Sequence, residues 1–446
     1  MTIINIPDNF VAERIYIIDV LFKEFLGLDY RINIRKGQDY EIKLENDKSI
    51  IIKDEFFSGL PESQDYLKCV KVPQKADFIK NRFTKESDIP VIFGNGELNI
   101  VGNKIICGID IFASSFFMLT RWEEYVNRAT DSHNRFPASE SLAYKNNFLD
   151  RPIVNEYLEM LWSMLLYSGC NQQRIQRAPS TTITCDIDAP FEWLYFRDLL
   201  KTIAGNLLKR RNIFLALNNF KSFIKSRADL KNDPFNSFPY ILDLADRLNI
   251  KSHLFFMAAK RTGFDAGYSL ENKFVESLIK EICARGHIIG FHPSYHSYNN
   301  EELWRKEYEY LSQHLPYAPK CGRQHFLRFE IPQTWHIWDD AGMEWDSTLG
   351  YAEREGFRCG CCYEFSVFNI VSRKKLRLKE RPLLCMDTTF SYYQELSPCV
   401  MEKKIMNLID KTKNYNGNFV LLWHNSNFSS EFWKQRQYIY ERIIRN

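Results

Sequence analysis

Asp186 and Asp188 lie two residues apart in "TCDIDAP", at the end of a β-rich run. If the strand continues through them, both carboxylates share one face. Carboxylates that close repel, and a cation beside them relieves the cost. In "HPSYH", His292 and His296 are spaced i, i+4 around Pro293. Proline suits the first position of a helical turn, and such a turn would carry both imidazoles on one side. A histidine pair at this spacing is a standard way to hold a borderline metal. With Asp188 it makes three ligands and leaves positions open, which is the arrangement of a catalytic site. His424 ends the apolar run "NFVLLWH" and is a candidate general acid. "GRQHFLRFEIPQTW" offers Arg323 and Arg328, and "EWDSTLGYAEREGFRCG" offers Asp346.

Singly, each of these residues has a structural reading. An aspartate after a strand commonly shapes a turn, and a histidine can edge a core. His253, His287, His314 and His336 lie outside such company and read as structural. "CGCC" at Cys359–Cys362 lacks a second cysteine pair at ligand spacing, which argues against zinc there.

The elements that must position the candidates begin near Thr181. "TTITCDID", "SHLFFMAA", "HIIGFH", a short strand near "KCGRQHF" and "NFVLLWH" alternate with helical segments such as "PYILDLADRLNI" and "NKFVESLIKEICARG". Buried strands alternating with helices predict a parallel βα architecture, either barrel or open sheet. In such folds chemistry sits at the C-terminal ends of strands. The candidates around Asp186/Asp188, His292/His296, Arg323 and His424 all fall there, which is what lifts them above their separate structural readings.

Earlier in the chain the texture is different. "YEIKLENDKSIIIKDEFF" predicts a hairpin around "ENDKS". Asp110–Arg128 reads as a helix with Asp110 as N-cap, and Asn155–Gly169 as a helix ended by glycine. No His, Asp and Cys cluster there, so residues 1–177 read as a smaller α+β domain of structural or substrate-guiding role, followed by a second domain over 178–446. Within the second, an apparent insertion near 195–237 carries Lys201, Lys209, Arg210, Arg211, Lys221, Lys225 and Arg227 among Leu, Ile and Phe at helical spacing. Residues 199–227 could lie on an anionic membrane surface. The alternative, which the composition favours, is a packed helix pair with a solvated basic face.

The 446 residues suggest two or three domains, and 45% hydrophobic with 26% charged content fits a soluble globular chain. A net charge of +3 makes no case for nucleic acid, and no nucleic-acid motif is present. The N-terminal run lacks a basic region before its apolar stretch, and no stretch reaches membrane-spanning length. Eleven cysteines without a framework fit a reducing compartment, so a cytoplasmic protein is expected.

In this order the residues resemble the polysaccharide deacetylase family, the NodB-homology domain of carbohydrate esterase family 4, from about Pro179 to the C-terminus. "TCDID" is similar to the family's first motif in an Asp-x-Asp form. His292 and His296 match the histidines of the second motif, with Pro293 replacing the usual Ser or Thr. "RQHFLRF" stands where the arginine motif belongs without its Arg-x-Pro-Tyr, which leaves Arg323 and Arg328 both open. "WDSTLGY" resembles the fourth motif and "LWH" the closing one. "TRWEEY" and "RFPASESLAYKNNFLDRPIVNEY" are similar to a bacterial two-domain group associated with surface-polysaccharide gene sets.

The resemblance implies an α/β fold, with a distorted (β/α) barrel preceded by the smaller α+β domain. It also implies metal-dependent removal of an N-acetyl group from a sugar or lipid-linked glycan. The ligands would be Asp188, His292 and His296 on a divalent metal, zinc first, with manganese, cobalt and nickel as alternatives. Asp186, kept ionised by an arginine, would be the base. His424 would protonate the departing amine, with Asp346 as its orienting partner. Two other classes remain compatible: an esterase or amidase on another substrate, and a non-catalytic glycan-assembly or membrane-associated module.

Overall fold

The computed structural model describes residues 2–60, 65–68, 72–429 and 431–446. It is a mixed α/β structure that divides into two compact units, neither continuous in sequence. The first comprises Met1–Ser180, Phe329–Leu384 and Asp410–Phe419. The second comprises Thr181–Arg328, Cys385–Ile409 and Val420–Asn446. The linear division of the sequence into 1–177 and 178–446 has no counterpart to the Phe329–Leu384 excursion.

In the first unit, the expected hairpin forms between Tyr40–Lys43 and Ser49–Ile52. It lies inside a six-stranded sheet ordered Tyr30–Arg35, Thr2–Pro7, Tyr40–Lys43, Ser49–Ile52, Lys104–Ile109, Gly94–Val101. The predicted helix after Asp110 is shorter than expected. Asp110 caps Ile111–Thr120 by accepting from the Ala113 N–H, and the helix then breaks at Arg121, whose φ is +53°. A second short helix, Trp122–Val126, follows.

The break sets up a buried ion network. The Arg121 guanidinium donates to Glu123 and Glu124, and Arg358 grips the same Glu124 with two hydrogen bonds of 2.9 and 2.5 Å. Burial pushes the Glu124 carboxyl up, but the charges of Arg358 and Arg121 outweigh it and hold the group below its ordinary range. Removing one member of such a network strands an unpaired charge in the interior, at about 3–5 kcal/mol. Glu124→Gln is therefore expected to lower the urea midpoint of the unfolding phase of this unit by that equivalent. A midpoint unchanged from wild type would show that the network contributes nothing net.

Apart from Ser180, Asn418 and Phe419, the second unit holds a run of strands in the order Cys321–Gly322, Ile288–Phe291, Ser252–Phe256, Ser180–Ile187, Asn418–Leu422, Cys385–Met386. Ser180–Ile187, Ser252–Phe256, Ile288–Phe291 and Cys321–Gly322 pair successively in parallel, as do Cys385–Met386 and Asn418–Leu422. Their connections carry helices, including Phe238–Arg247, Lys273–Ala284 and Glu301–Gln313. The strands are short and apolar, and Ser252–Phe256 is buried throughout, as expected when helices cover a parallel sheet. Parallel alignment places the residues that follow each strand at one common end. No helix among the described residues is long and apolar enough to cross a membrane.

Candidate metal and acid–base site

At that common end, Asp188, His292 and His325 each offer a ligand atom within 4.8 Å of the other two. Asp188 follows Ser180–Ile187, His292 follows Ile288–Phe291, and His325 lies three residues past Cys321–Gly322. The Nε2 atoms of His292 and His325 stand 3.1 and 3.5 Å from Asp188 Oδ1.

The other ring nitrogens are committed. His292 Nδ1 donates to the Arg323 carbonyl at 2.6 Å, and His325 Nδ1 donates to Asp265 Oδ1 at 2.9 Å. These bonds turn each Nε2 toward Asp188, where His292 Nε2 donates to Asp188 Oδ1 at 3.1 Å and would ligate on losing that proton; ligating histidines are commonly fixed from behind in this way. One hard oxygen and two imidazole nitrogens, converging and oriented, are a donor set that can hold a divalent metal. Burial raises the Asp188 carboxyl, but His325, His292 and His424 outweigh it and hold the group well below the usual carboxylate range. A group so readily ionised is ready to ligate.

His296 is not among the three. The turn that was to bring it beside His292 is not helical, because two carboxylates capture its backbone. Glu307 accepts from the Ser294 N–H at 2.8 Å, and Asp265 accepts from the Tyr295 N–H at 2.9 Å. The exposed His296 ring instead packs edge-on to Tyr295 and Phe264, and it lines a cavity of about 660 Å³ shared with Asp265, Ser294 and Glu307.

Asp265 thus does two things: it holds His325 from behind and fixes the turn that turns His296 away. Burial raises its carboxyl, but bonds from His325, Thr262 and the Tyr295 N–H bring it below its ordinary value. Replacing such a supporting carboxylate typically costs 10–100-fold in metal affinity. Asp265→Asn should weaken zinc binding by about that factor in a competitive chelator titration; unchanged affinity would make Asp265 a turn-former only.

Asp186 is buried beside the metal group. Arg323 Nη1 donates to Asp186 Oδ1 at 2.9 Å and to Thr184 Oγ1 at 2.8 Å. Of the two arginines left open, Arg323 is therefore the one on Asp186. Arg328 lies under the rings of Tyr295 and Tyr298 and donates to the Tyr295 carbonyl at 2.5 Å.

His424 follows Asn418–Leu422, with its Nε2 3.7 Å from Asp188 Oδ2. Its Nδ1 donates to Asp387 Oδ1 at 2.8 Å. Asp387 also accepts from the His424 backbone N–H and the Asn427 side-chain amide, each at 2.8 Å. Burial alone would lower the imidazole, but Asp387 first, then Asp188 and Asp186, push it up to about 10. The orienting partner expected at Asp346 is Asp387 instead. Asp346 belongs to the first unit, buried on the two-residue strand Trp345–Asp346, where Thr348 Oγ1 donates to it at 2.5 Å.

His287 Nδ1 accepts from the Ser252 N–H, and His314 Nδ1 bonds the Tyr310 carbonyl. Among the described residues, no cysteine joins a group of three or more residues placed to hold a metal.

A family of unknown function, DUF7033, matches residues 2–168. No curated protein matches the chain. Among solved structures, one similar chain is a Mycobacterium smegmatis protein assigned as a polysaccharide deacetylase. It is 15% identical, with 60% of this chain and 83% of that chain covered, at a TM-score of 0.39. The allantoinase Puue is 13% identical over the same shares at 0.39. A CE4 family pseudoenzyme from Bacillus anthracis is 10% identical over 60% of each chain at 0.31.

Proposed function

We propose that the second unit is a divalent-metal-dependent hydrolase, on a distorted (β/α) barrel frame, that removes the N-acetyl group from a sugar or lipid-linked glycan. The observation that carries this reading is a pairing of opposites around one metal group. A carboxylate held by an arginine, Asp186, lies 3.8 Å from the His292 ring, and an imidazole held by a carboxylate, His424, lies 3.7 Å from Asp188.

Asp188, His292 and His325 would hold the ion. Bound there, a divalent cation supplies Lewis acidity toward an acyl oxygen and makes water a stronger nucleophile near neutral pH. Arg323 holds and aims Asp186 through its hydrogen bond, so that the carboxylate can take a proton from the attacking water. The water oxygen bonds to the acyl carbon, and the C–N bond then breaks. An amine leaves poorly unless protonated, and His424 delivers that proton from Nε2 while Asp387 keeps Nδ1 occupied. Acetic acid and the free amine result, the acid gives its proton to solvent to become acetate, and solvent returns the proton from Asp186 to His424. A cavity of about 660 Å³, which shares only the supporting Asp265 with this group, has the size of a small-molecule site.

The test is acetate release from N-acetylated sugars by the zinc-loaded protein, run beside a panel of acetyl esters and a chelated control. Chelator-sensitive release from the amides supports the reading. Turnover of esters alone would replace it with an esterase, and no turnover of either would remove the catalytic claim.

A further inference from the structure

The insertion leaves an unusual surface. Phe196–Ala204 and Ile213–Ala228 form a helical hairpin whose own small core is Trp193, Leu199, Ile203 and Phe223. Its base is tied to the second unit. Arg261 grips Asp198 with bonds of 2.6 and 3.2 Å, Tyr195 donates to the Gly267 carbonyl, and Asp233 accepts from Ser226 and the Glu192 N–H.

Beyond that core the hairpin turns a second apolar stripe outward. Ile213, Phe214, Leu217, Phe220 and Ile224 are all exposed, and they fall within about 60° of Leu217 around the helix axis at ~100° per residue. Ala216, Phe223 and Ser226 take the opposite, buried side. At the tip, Leu208 is 79% and Phe214 77% exposed. A soluble surface does not keep a contiguous stripe of this kind without a use for it.

Charge says what would cover it. Residues 196–228 hold eight lysines and arginines against one acidic residue, Asp198, giving net +7 in a chain whose total is +3. The remainder is therefore net −4, so the positive charge is concentrated on the hairpin. Lys221 lies within the stripe about 40° from Leu217, Lys225 and Arg227 flank it about 80° to either side, and Lys209, Arg210 and Arg211 sit at the tip between Leu208 and Phe214. Apolar residues bordered by long cationic side chains match the boundary of an anionic bilayer, where the rings enter the acyl region and the ammonium and guanidinium groups reach the headgroups.

We propose that the 196–228 hairpin docks the protein on an anionic membrane surface, inserting Leu208 and Phe214 at its tip. This holds whether or not the second unit hydrolyses amides.

Full-length protein is sedimented with vesicles of phosphatidylcholine alone and of phosphatidylcholine mixed with phosphatidylglycerol. Binding is expected to the mixed vesicles only, and to weaken as salt is raised. Leu208→Ser with Phe214→Ser should weaken it at least about tenfold. Lys209→Gln, Arg210→Gln and Arg211→Gln together should weaken it by about a hundredfold. All five side chains are exposed, and unchanged circular dichroism and urea midpoints confirm that the variants fold. Equal binding to both vesicles, no binding to either, or variants that bind like wild type would each overturn the proposal. So would concentration-dependent self-association, abolished by the Leu208/Phe214 variant, in protein that ignores vesicles; the stripe would then be the seat of a second copy.

Discussion

His325→Ala is expected to lose stoichiometric zinc and at least about a thousandfold in acetate release, while His296→Ala keeps the metal. The magnitude follows from the several kcal/mol that a cation contributes at the acyl oxygen, at about 1.4 kcal/mol per factor of ten. The contrast follows from the geometry. His325 Nε2 points at Asp188 with its Nδ1 tied to Asp265, whereas the exposed His296 ring lies against Tyr295 and Phe264. His292→Ala and Asp188→Asn should behave as His325→Ala does. Metal analysis of purified variants reads the result without any substrate. Because His296 lines the cavity that reaches Asp265, its alanine variant should change KM before kcat if substrate occupies that cavity. If His296→Ala empties the site and His325→Ala does not, the ligand set is the i, i+4 pair after all, and the backbone around Ser294 and Tyr295 must rearrange on binding metal.

Where the sequence reading departs from the structure, it departs at particular residues for physical reasons. Asp186, Asp188 and His292 were legible because strand-end position and residue type coincide, and neither depends on the loops that follow. The His296 expectation required a helical turn. Two acidic side chains distant in sequence, Asp265 and Glu307, decide otherwise by accepting from the turn's own N–H groups. No spacing rule reports on partners 13 and 30 residues away.

His325 lay in plain view, two residues after Arg323, and the same i, i+2 logic used for Asp186 and Asp188 would have flagged it. What spacing could not show is the tight turn after it, where Phe326 and Leu327 both take left-handed φ, +59° and +54°. Phe326 packs its ring on Tyr295, Phe264 and His325, so the aromatic cluster of the turn also positions the ligand. Asp387 was hidden differently. Its strand, Cys385–Met386, has two residues, too few to carry a period, and its partner lies 37 residues on. The Asp346 expectation rested on motif likeness alone, and the chain places that residue in the other compact unit.

Asp387→Asn is expected to lower kcat/KM by about 10²–10⁴, the range of a positioned general acid, with metal content unchanged. His424→Asn should match it, and the double variant should cost little more than either single one, because the two side chains act as one donor. The pH profile separates this from a structural role. His424 sits at about 10 chiefly because Asp387 outweighs the cost of burial. A bound cation draws that value down, so the alkaline limb of the zinc-loaded enzyme lies below it. Without the Asp387 charge the imidazole drops back toward 6.5, so in Asp387→Asn the limb moves further to lower pH and the variant regains part of its loss in acid. Linkage fixes the sign for stability too. A histidine raised on folding stabilises fully below 6.5, and that contribution disappears as pH climbs through about 10. The gap in unfolding free energy between metal-free wild type and Asp387→Asn should therefore be widest below pH 6.5 and close toward pH 10. An alkaline limb that stays where it is in Asp387→Asn would mean that His424 does not deliver the proton, whatever the variant does to rate.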